Sequence, residues 1–148
     1  MSPTTNAPTD EPFALRWLQQ PILPVVVVDE VAQGLDIAAG LEEGGLNQIE
    51  ITLRTPQSLK ALEAVARQFP RMRVAVGTVR CAADLRAARD AGATLAISPG
   101  FTPALAAAAA AIDLPWVPGV ATASEVMMAH EAGFRALKFF PAMAAGGP

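Results

Sequence analysis

Short apolar runs recur along this chain at nearly constant intervals: PVVVV (Pro24 to Val28), QIEITL (Gln48 to Leu53), RVAVG (Arg73 to Gly77), TLAISP (Thr94 to Pro99), PWVPG (Pro115 to Gly119) and RALKFF (Arg135 to Phe140). Centred near Val26, Glu50, Ala75, Ala96, Val117 and Lys138, they repeat every 21 to 25 residues. That is the length of a strand, a turn and a helix. Such alternation confines the chain to an α/β fold with a parallel sheet. With 148 residues, 52% of them hydrophobic, there is material for one domain with a sizeable core.

The intervals between the runs read as helices with marked ends. Leu59, Leu62, Val65, Ala66 and Phe69 follow a helical apolar spacing and leave Lys60, Glu63 and Arg67 for solvent. Glycines after the first, third and fifth helices, in EEGG (Glu42 to Gly45), DAG (Asp90 to Gly92) and EAG (Glu131 to Gly133), provide the left-handed residue at which the chain turns into the next strand. In FTPALAAAAAAI, Thr102 is the expected N-cap, Pro103 suits the first helical position, and the alanine run is a strong helix former.

Charge and cysteine content exclude several classes. The net charge of -3 comes with no basic cluster, so nucleic-acid binding is not expected. A single cysteine, Cys81, forms no internal disulfide, and no Cys/His cluster offers metal ligands. The opening MSPTTNAPTDEP is polar and proline-rich and reads as a disordered lead over residues 1–12, followed by an amphipathic segment from Phe13 to Gln20 that begins one domain over residues 13–148. The apolar stretch PILPVVVV falls well short of the roughly 20 residues that span a bilayer. A soluble, cytoplasmic protein without a metal or other cofactor is the expectation.

A doubly wound open sheet and a β/α barrel both satisfy the repeat. No G-x-G-x-x-G fingerprint or P-loop follows any strand. On the second run Glu50, Thr52 and Arg54 alternate with Ile49, Ile51 and Leu53, which gives one polar face. Strands covered by helices on both faces read instead as continuous apolar runs, so the polar face points to a barrel interior. A (β/α)₈ barrel takes at least about 200 residues, and about six β/α units can be counted here. Either the chain is a barrel lacking its last two units, with ladder groups of the first and sixth strands exposed at its edges, or its six units form an open sheet with two exposed edges.

Chemistry concentrates on the sixth run. The chain has two lysines, and Lys138 lies within the apolar GFRALKFFPA. A charged ammonium is costly in apolar surroundings unless paired or neutralised. If Ala136, Lys138 and Phe140 share the inward face, with Leu137 and Phe139 toward the helices, Lys138 meets Glu50 and Arg54 across the barrel. A neutral lysine attacks a ketone to form a Schiff base, and desolvation with a neighbouring cation such as Arg54 favours the neutral amine. Glu50 can move the protons, while Arg54 and Thr78 can hold a carboxylate. The same residues equally describe a class I aldolase acting on a 2-oxo acid or a buried structural Glu–Arg–Lys network.

The motifs EITLRT (Glu50 to Thr55), VGTV (Val76 to Val79), ISPG (Ile97 to Gly100), PGVATASE (Pro118 to Glu125) and KFFPA (Lys138 to Ala142) stand in the order and spacing of the 2-keto-3-deoxy-6-phosphogluconate aldolase family, which the chain resembles from about Pro21 onward. The resemblance implies a (β/α)₈ barrel, a homotrimer, and metal-free reversible cleavage of the phosphorylated 2-oxo acid to pyruvate and glyceraldehyde 3-phosphate, with 4-hydroxy-2-oxoglutarate as a further substrate. It implies Lys138 as the Schiff-base lysine, Glu50 as acid/base, Arg54 and Thr78 as ligands of the pyruvate carboxylate, and Pro99 and Phe140 as pocket walls. Arg54 favours the gluconate branch over the related phosphogalactonate aldolases, which usually carry asparagine there. The family's phosphate-binding glycine loop and serine fall after strands seven and eight, a region absent from this sequence. Two other readings stand beside this one: a catalytically silent barrel fragment, and a phosphate-binding isomerase or synthase barrel without imine chemistry.

Other conspicuous residues read as structural. His130 falls in the fifth helical interval as a surface side chain, and Cys81 starts the third helix with no base assigned near it. Trp17 and Trp116 are expected to pack, Met127 and Met128 to fill a helix, and Gly77, Gly100 and Gly119 to permit tight turns.

Overall fold

A computed structural model of the chain describes Trp17 and residues 20–147. The expected disordered lead and most of the Phe13 to Gln20 segment lie outside the described residues. In chain order the elements are β1 (Val25–Val26), α1 (Val31–Glu43), β2 (Gln48–Thr52), α2 (Ser58–Gln68), β3 (Arg73–Gly77), α3 (Ala82–Asp90), β4 (Leu95–Ile97), α4 (Pro103–Ile112), β5 (Trp116–Val117), β6 (Gly119–Val120), α5 (Ala123–Glu131) and β7 (Lys138–Phe139). All pairings are parallel, in the order β1-β2-β3-β4-β5 followed by a β6–β7 ladder. Six strand positions and five intervening helices are therefore present, and among the described residues the sixth expected unit consists of its strand alone. The fifth run divides into β5 and β6 at Pro118, whose nitrogen carries no hydrogen to donate. The sixth is shorter than its apolar pattern, because only Lys138 and Phe139 join the ladder.

Two apolar clusters lie on opposite faces of the sheet. Ile49, Ile51, Val74, Val76 and Ala96 face outward onto Ala61, Leu62 and Val65 of α2, Leu85 and Ala88 of α3, and Leu105 and Ala109 of α4. On the other face Ala75, Leu95 and Ile97 gather with Trp17, Leu23 and Val117. The side-chain period of two along each strand produces this division. All five residues of β2 are buried, including Gln48, Glu50 and Thr52, so its polar face is an interior face.

The helix ends follow their sequence signals. Gly45, Gly92 and Gly133 adopt positive φ after α1, α3 and α5. The Thr102 hydroxyl accepts a hydrogen bond from the Leu105 N–H at 3.1 Å, with Pro103 in the first turn of α4. Lys60, Glu63 and Arg67 point to solvent, as does His130. Met127 and Met128 differ from expectation: at 63% and 46% exposed they do not fill the helix interface, and Ala129 is the buried residue of α5.

Trp17 and Gln20 close the N-terminal end of the strands. The Trp17 indole donates to Thr94 Oγ1 at 3.0 Å, and the Arg73 guanidinium donates to the Trp17 carbonyl. Gln48 Nε2 donates to the carbonyls of Gln20 and Ile22 at 2.9 and 2.8 Å, while the Asn47 N–H donates to Gln20 Oε1. These bonds tie together the N-terminal end of the interior, where the Asn47 Oδ1 and Gln48 Oε1 atoms nonetheless have no hydrogen-bond partner among the described residues, and leave the C-terminal strand ends for the site. No helix among the described residues is long and apolar enough to cross a membrane.

Candidate active site

Glu50 and Lys138 meet inside the barrel wall. Lys138 Nζ donates to Glu50 Oε1 at 3.1 Å. β2 and β7 stand four strand spacings apart, about 19 Å in a flat sheet at roughly 4.8 Å per spacing. A direct contact between their side chains therefore requires the sheet to curl into a barrel wall. Glu50 is 1% exposed, and a carboxylate that deep is strongly unfavourable without a cation. The Lys138 side chain keeps 28% of its surface and so reaches from this partner toward open space. Its amine also lies 5.3 Å from the centre of the Phe140 ring, within range of a cation–π contact.

The pair borders a cavity of about 470 Å³. Leu23, Val25, Leu95, Ile97 and Val117 give it apolar walls, and Glu50, Arg135 and Lys138 are its charged members. Ala136 lines it, consistent with the inward face expected for Ala136 and Lys138, but Leu137 lines it too rather than facing the helices. The chain from Phe134 to Leu137 is not in the ladder, so strict alternation does not apply there. Phe134 anchors that segment by packing edge-on against Trp116, 5.1 Å between ring centres, and Trp116 in turn donates to the buried Ser98 hydroxyl at 2.9 Å. The β7 register follows, with the Lys138 N–H on the Pro118 carbonyl and the Phe140 N–H on that of Val120.

Arg54, Thr78 and Pro99 follow β2, β3 and β4 directly, and because the strands are parallel they share the C-terminal rim with Phe140. None of these four lines the cavity. Arg54 is exposed and makes no ion pair among the described residues, so Lys138 is met by the Glu50 carboxylate and not by a guanidinium. Thr78 is half-buried and has a φ of 62°, a left-handed conformation that a β-branched residue rarely adopts.

Two glycines have a role different from the turns expected of them. Neither Gly77 nor Gly119 has a positive φ. A side chain on Gly77 would overlap the Glu50 carboxylate, and one on Gly119 would overlap the Pro99 carbonyl and lie 2.7 Å from that of Ser98. Both mark close approaches, and the sequence signal was a glycine closing an apolar run. The apolar cavity walls were not legible beforehand, since LAI of β4 is apolar on both faces.

Chemically, the site offers an amine and a carboxylate within proton-transfer distance, beside an apolar chamber and below a rim carrying a guanidinium and a hydroxyl. Among the described residues no cluster of three or more His, Cys, Asp or Glu side chains is arranged to hold a metal ion.

Comparison with known proteins gives consistent results. The profile of the KDPG and KHG aldolase family matches residues 15–148. A 2-dehydro-3-deoxy-phosphogluconate aldolase of Pseudomonas aeruginosa is 42% identical over 127 residues, 86% of this chain and 58% of the relative. A KHG/KDPG aldolase of Escherichia coli K12 is 40% identical over 86% of this chain and 60% of its own length. The crystal structure of KDPG aldolase from Legionella pneumophila, with pyruvate captured at low pH as a covalent carbinolamine intermediate, superposes with a TM-score of 0.84 at 41% identity, covering 88% of this chain and 64% of that one. The chain thus spans about three-fifths of the length of the curated relatives it matches.

Proposed function

The chain belongs to the KDPG and KHG aldolase family, and on that premise we propose that it is a class I aldolase that cleaves 2-dehydro-3-deoxy-6-phosphogluconate reversibly to pyruvate and glyceraldehyde 3-phosphate, and acts on 4-hydroxy-2-oxoglutarate as well. The observation that carries the proposal is the 3.1 Å contact between the Lys138 amine and the buried Glu50 carboxylate at the cavity wall.

In the proposed reaction the neutral Lys138 Nζ attacks the C2 carbonyl carbon, and the carbonyl oxygen takes a proton from the Glu50 carboxyl to form a carbinolamine. Loss of water gives the protonated imine. Glu50, now a carboxylate, takes the proton of the C4 hydroxyl. The C3–C4 bond breaks, its electron pair passes into the imine as an enamine, and the aldehyde leaves. Glu50 returns the proton to C3, and water hydrolyses the imine to release pyruvate and the free amine. Arg54 and Thr78, on the rim above the pair, hold the carboxylate of the 2-oxo acid, and Pro99 and Phe140 flank it on the same rim. The proposed setting is the cytoplasm, in keeping with a single unpaired cysteine, and the proposed assembly is a homotrimer.

The test is to incubate the chain with pyruvate and borohydride and to map the reduced adduct by peptide mass spectrometry. The adduct is expected on Lys138, absent from Lys138→Ala, and absent from the exposed Lys60, which serves as an internal control. A folded chain with no adduct, or with equal labelling of Lys60, would overturn the proposal.

A further inference from the structure

Gly77 ends β3 opposite Thr52 in the parallel register, one pair beyond Ile51 and Val76 and two beyond Glu50 and Ala75. Ala75 and Gly77 share a strand face, and Ala75 belongs to the interior cluster. Interior positions on the neighbouring strands carry Leu95, Ile97 and Val117. β3 alone among these offers an alanine and a glycine, so the wall beside Glu50 is thinned at one place.

The Glu50 side chain occupies that place. A Cβ added to Gly77 would overlap Oε1 and come within 2.9 Å of Cδ and 3.0 Å of Cγ. Oε1 is also the atom that accepts from Lys138 Nζ. The carboxylate is thereby confined between the bare backbone of β3 and the amine. Backbone conformation does not demand glycine here, because Gly77 has no positive φ, and glycine within a strand otherwise weakens it.

We propose that Gly77 is a positioning residue, whose missing side chain opens a slot in the barrel wall that fixes the Glu50 carboxylate against the Lys138 amine. The inference rests on the imine reading for its catalytic consequence, while the slot itself is a matter of geometry. Gly77 does not act on substrate. It removes alternative rotamers of a long acid side chain, so that one oxygen stays within the range that proton transfer needs.

Two substitutions and two readouts test this. Gly77→Ala should lower the saturating rate of pyruvate trapping by about 100-fold, the size of a lost acid–base contribution, with the half-saturating pyruvate concentration changed by less than about threefold. Shortening the acid by one methylene removes the overlap with Oε1 and leaves only the marginal approach to Cγ at 3.0 Å. In a Glu50→Asp background, itself slower than the parent, Gly77→Ala should therefore cost less than about threefold. An equal loss in both backgrounds would overturn the proposal, because the methyl group would then be damaging the strand rather than displacing the acid. A crystal structure of Gly77→Ala is expected to separate Glu50 Oε1 from Lys138 Nζ by more than about 4 Å, and an unchanged contact would overturn it equally. That distance is informative even if the parent chain traps no pyruvate, an outcome that would remove the imine reading and leave the slot standing. If Gly77→Ala alone does not fold, recovery of the folded state by added Glu50→Asp supports the slot, and failure to recover refutes it.

Discussion

Thr78 carries the clearest sign of conformational cost in the site. Its φ of 62° places a β-branched side chain in the left-handed region, immediately after the glycine that accommodates Glu50. Such a residue costs about 1–3 kcal/mol and persists where the surrounding structure over-determines it. Glycine at this position relieves that cost against about 0.5–1 kcal/mol of extra unfolded-state entropy. Thr78→Gly is therefore expected to stabilise the fold by about 1 kcal/mol in urea unfolding. If the hydroxyl holds the substrate carboxylate, the same substitution should raise the half-saturating pyruvate concentration in the trapping assay about tenfold, the equivalent of one hydrogen bond to a charged group. Stability and binding would then move in opposite directions. Residue identity announced Lys138 and Glu50 as chemical, because an ammonium in an apolar run and a carboxylate on an interior strand face both demand an explanation. It did not announce the strain at Thr78, which depends on the path of the backbone after β3.

Helix α5 shows how an element depends on local charge. Glu125 accepts hydrogen bonds from the backbone N–H groups of Ala121 at 2.7 Å and Thr122 at 2.9 Å, while the Thr122 hydroxyl accepts from the Glu125 N–H at 3.3 Å. This reciprocal box satisfies donors that the first turn leaves without helical partners. The bonds from Ala121 and then Thr122 hold the Glu125 carboxyl below its ordinary value of 4.5. A folded-state value below the unfolded one means that the stabilisation is complete above 4.5 and disappears as pH falls through the lower folded value. Parent and Glu125→Gln chains should thus differ in stability at neutral pH and converge under acid, as followed by chemical unfolding between about pH 3 and 6. Helix ends were among the most legible features of this chain, since TPALA and the terminal glycines act through neighbours in sequence. The strand ends were less so. Pro118 divides the fifth strand and Arg135 to Leu137 stay out of the ladder, because a strand extends only as far as its neighbour offers partners in register.

The two faces of the sheet predict different responses to truncation. Ile51 is fully buried between β2 and the helices, whereas Ile97, 4% exposed, borders the cavity. Removing a buried side chain costs its transfer free energy plus a contribution for the void left behind. Behind Ile51 the void is new and sealed, while at Ile97 it merges with space already present. Ile51→Ala should therefore lie near the top of the range of about 2–5 kcal/mol for such truncations and Ile97→Ala near the bottom, a difference measurable by urea unfolding. A reversed order would mean that the interior cluster, not the sheet–helix layer, dominates stability. Pattern alone determined the six strand positions, the parallel sheet and several helix ends, and singled out a lysine and a glutamate, because period, capping and alternation are properties of neighbouring residues. Only the tertiary structure decided that Glu50 and Lys138, 88 residues apart, touch, that Gly77 makes room for the carboxylate, and that Trp17 and Gln20 close the opposite end of the interior. Those contacts exist because the sheet curls, and curvature belongs to the packed assembly of strands and helices rather than to any segment of it.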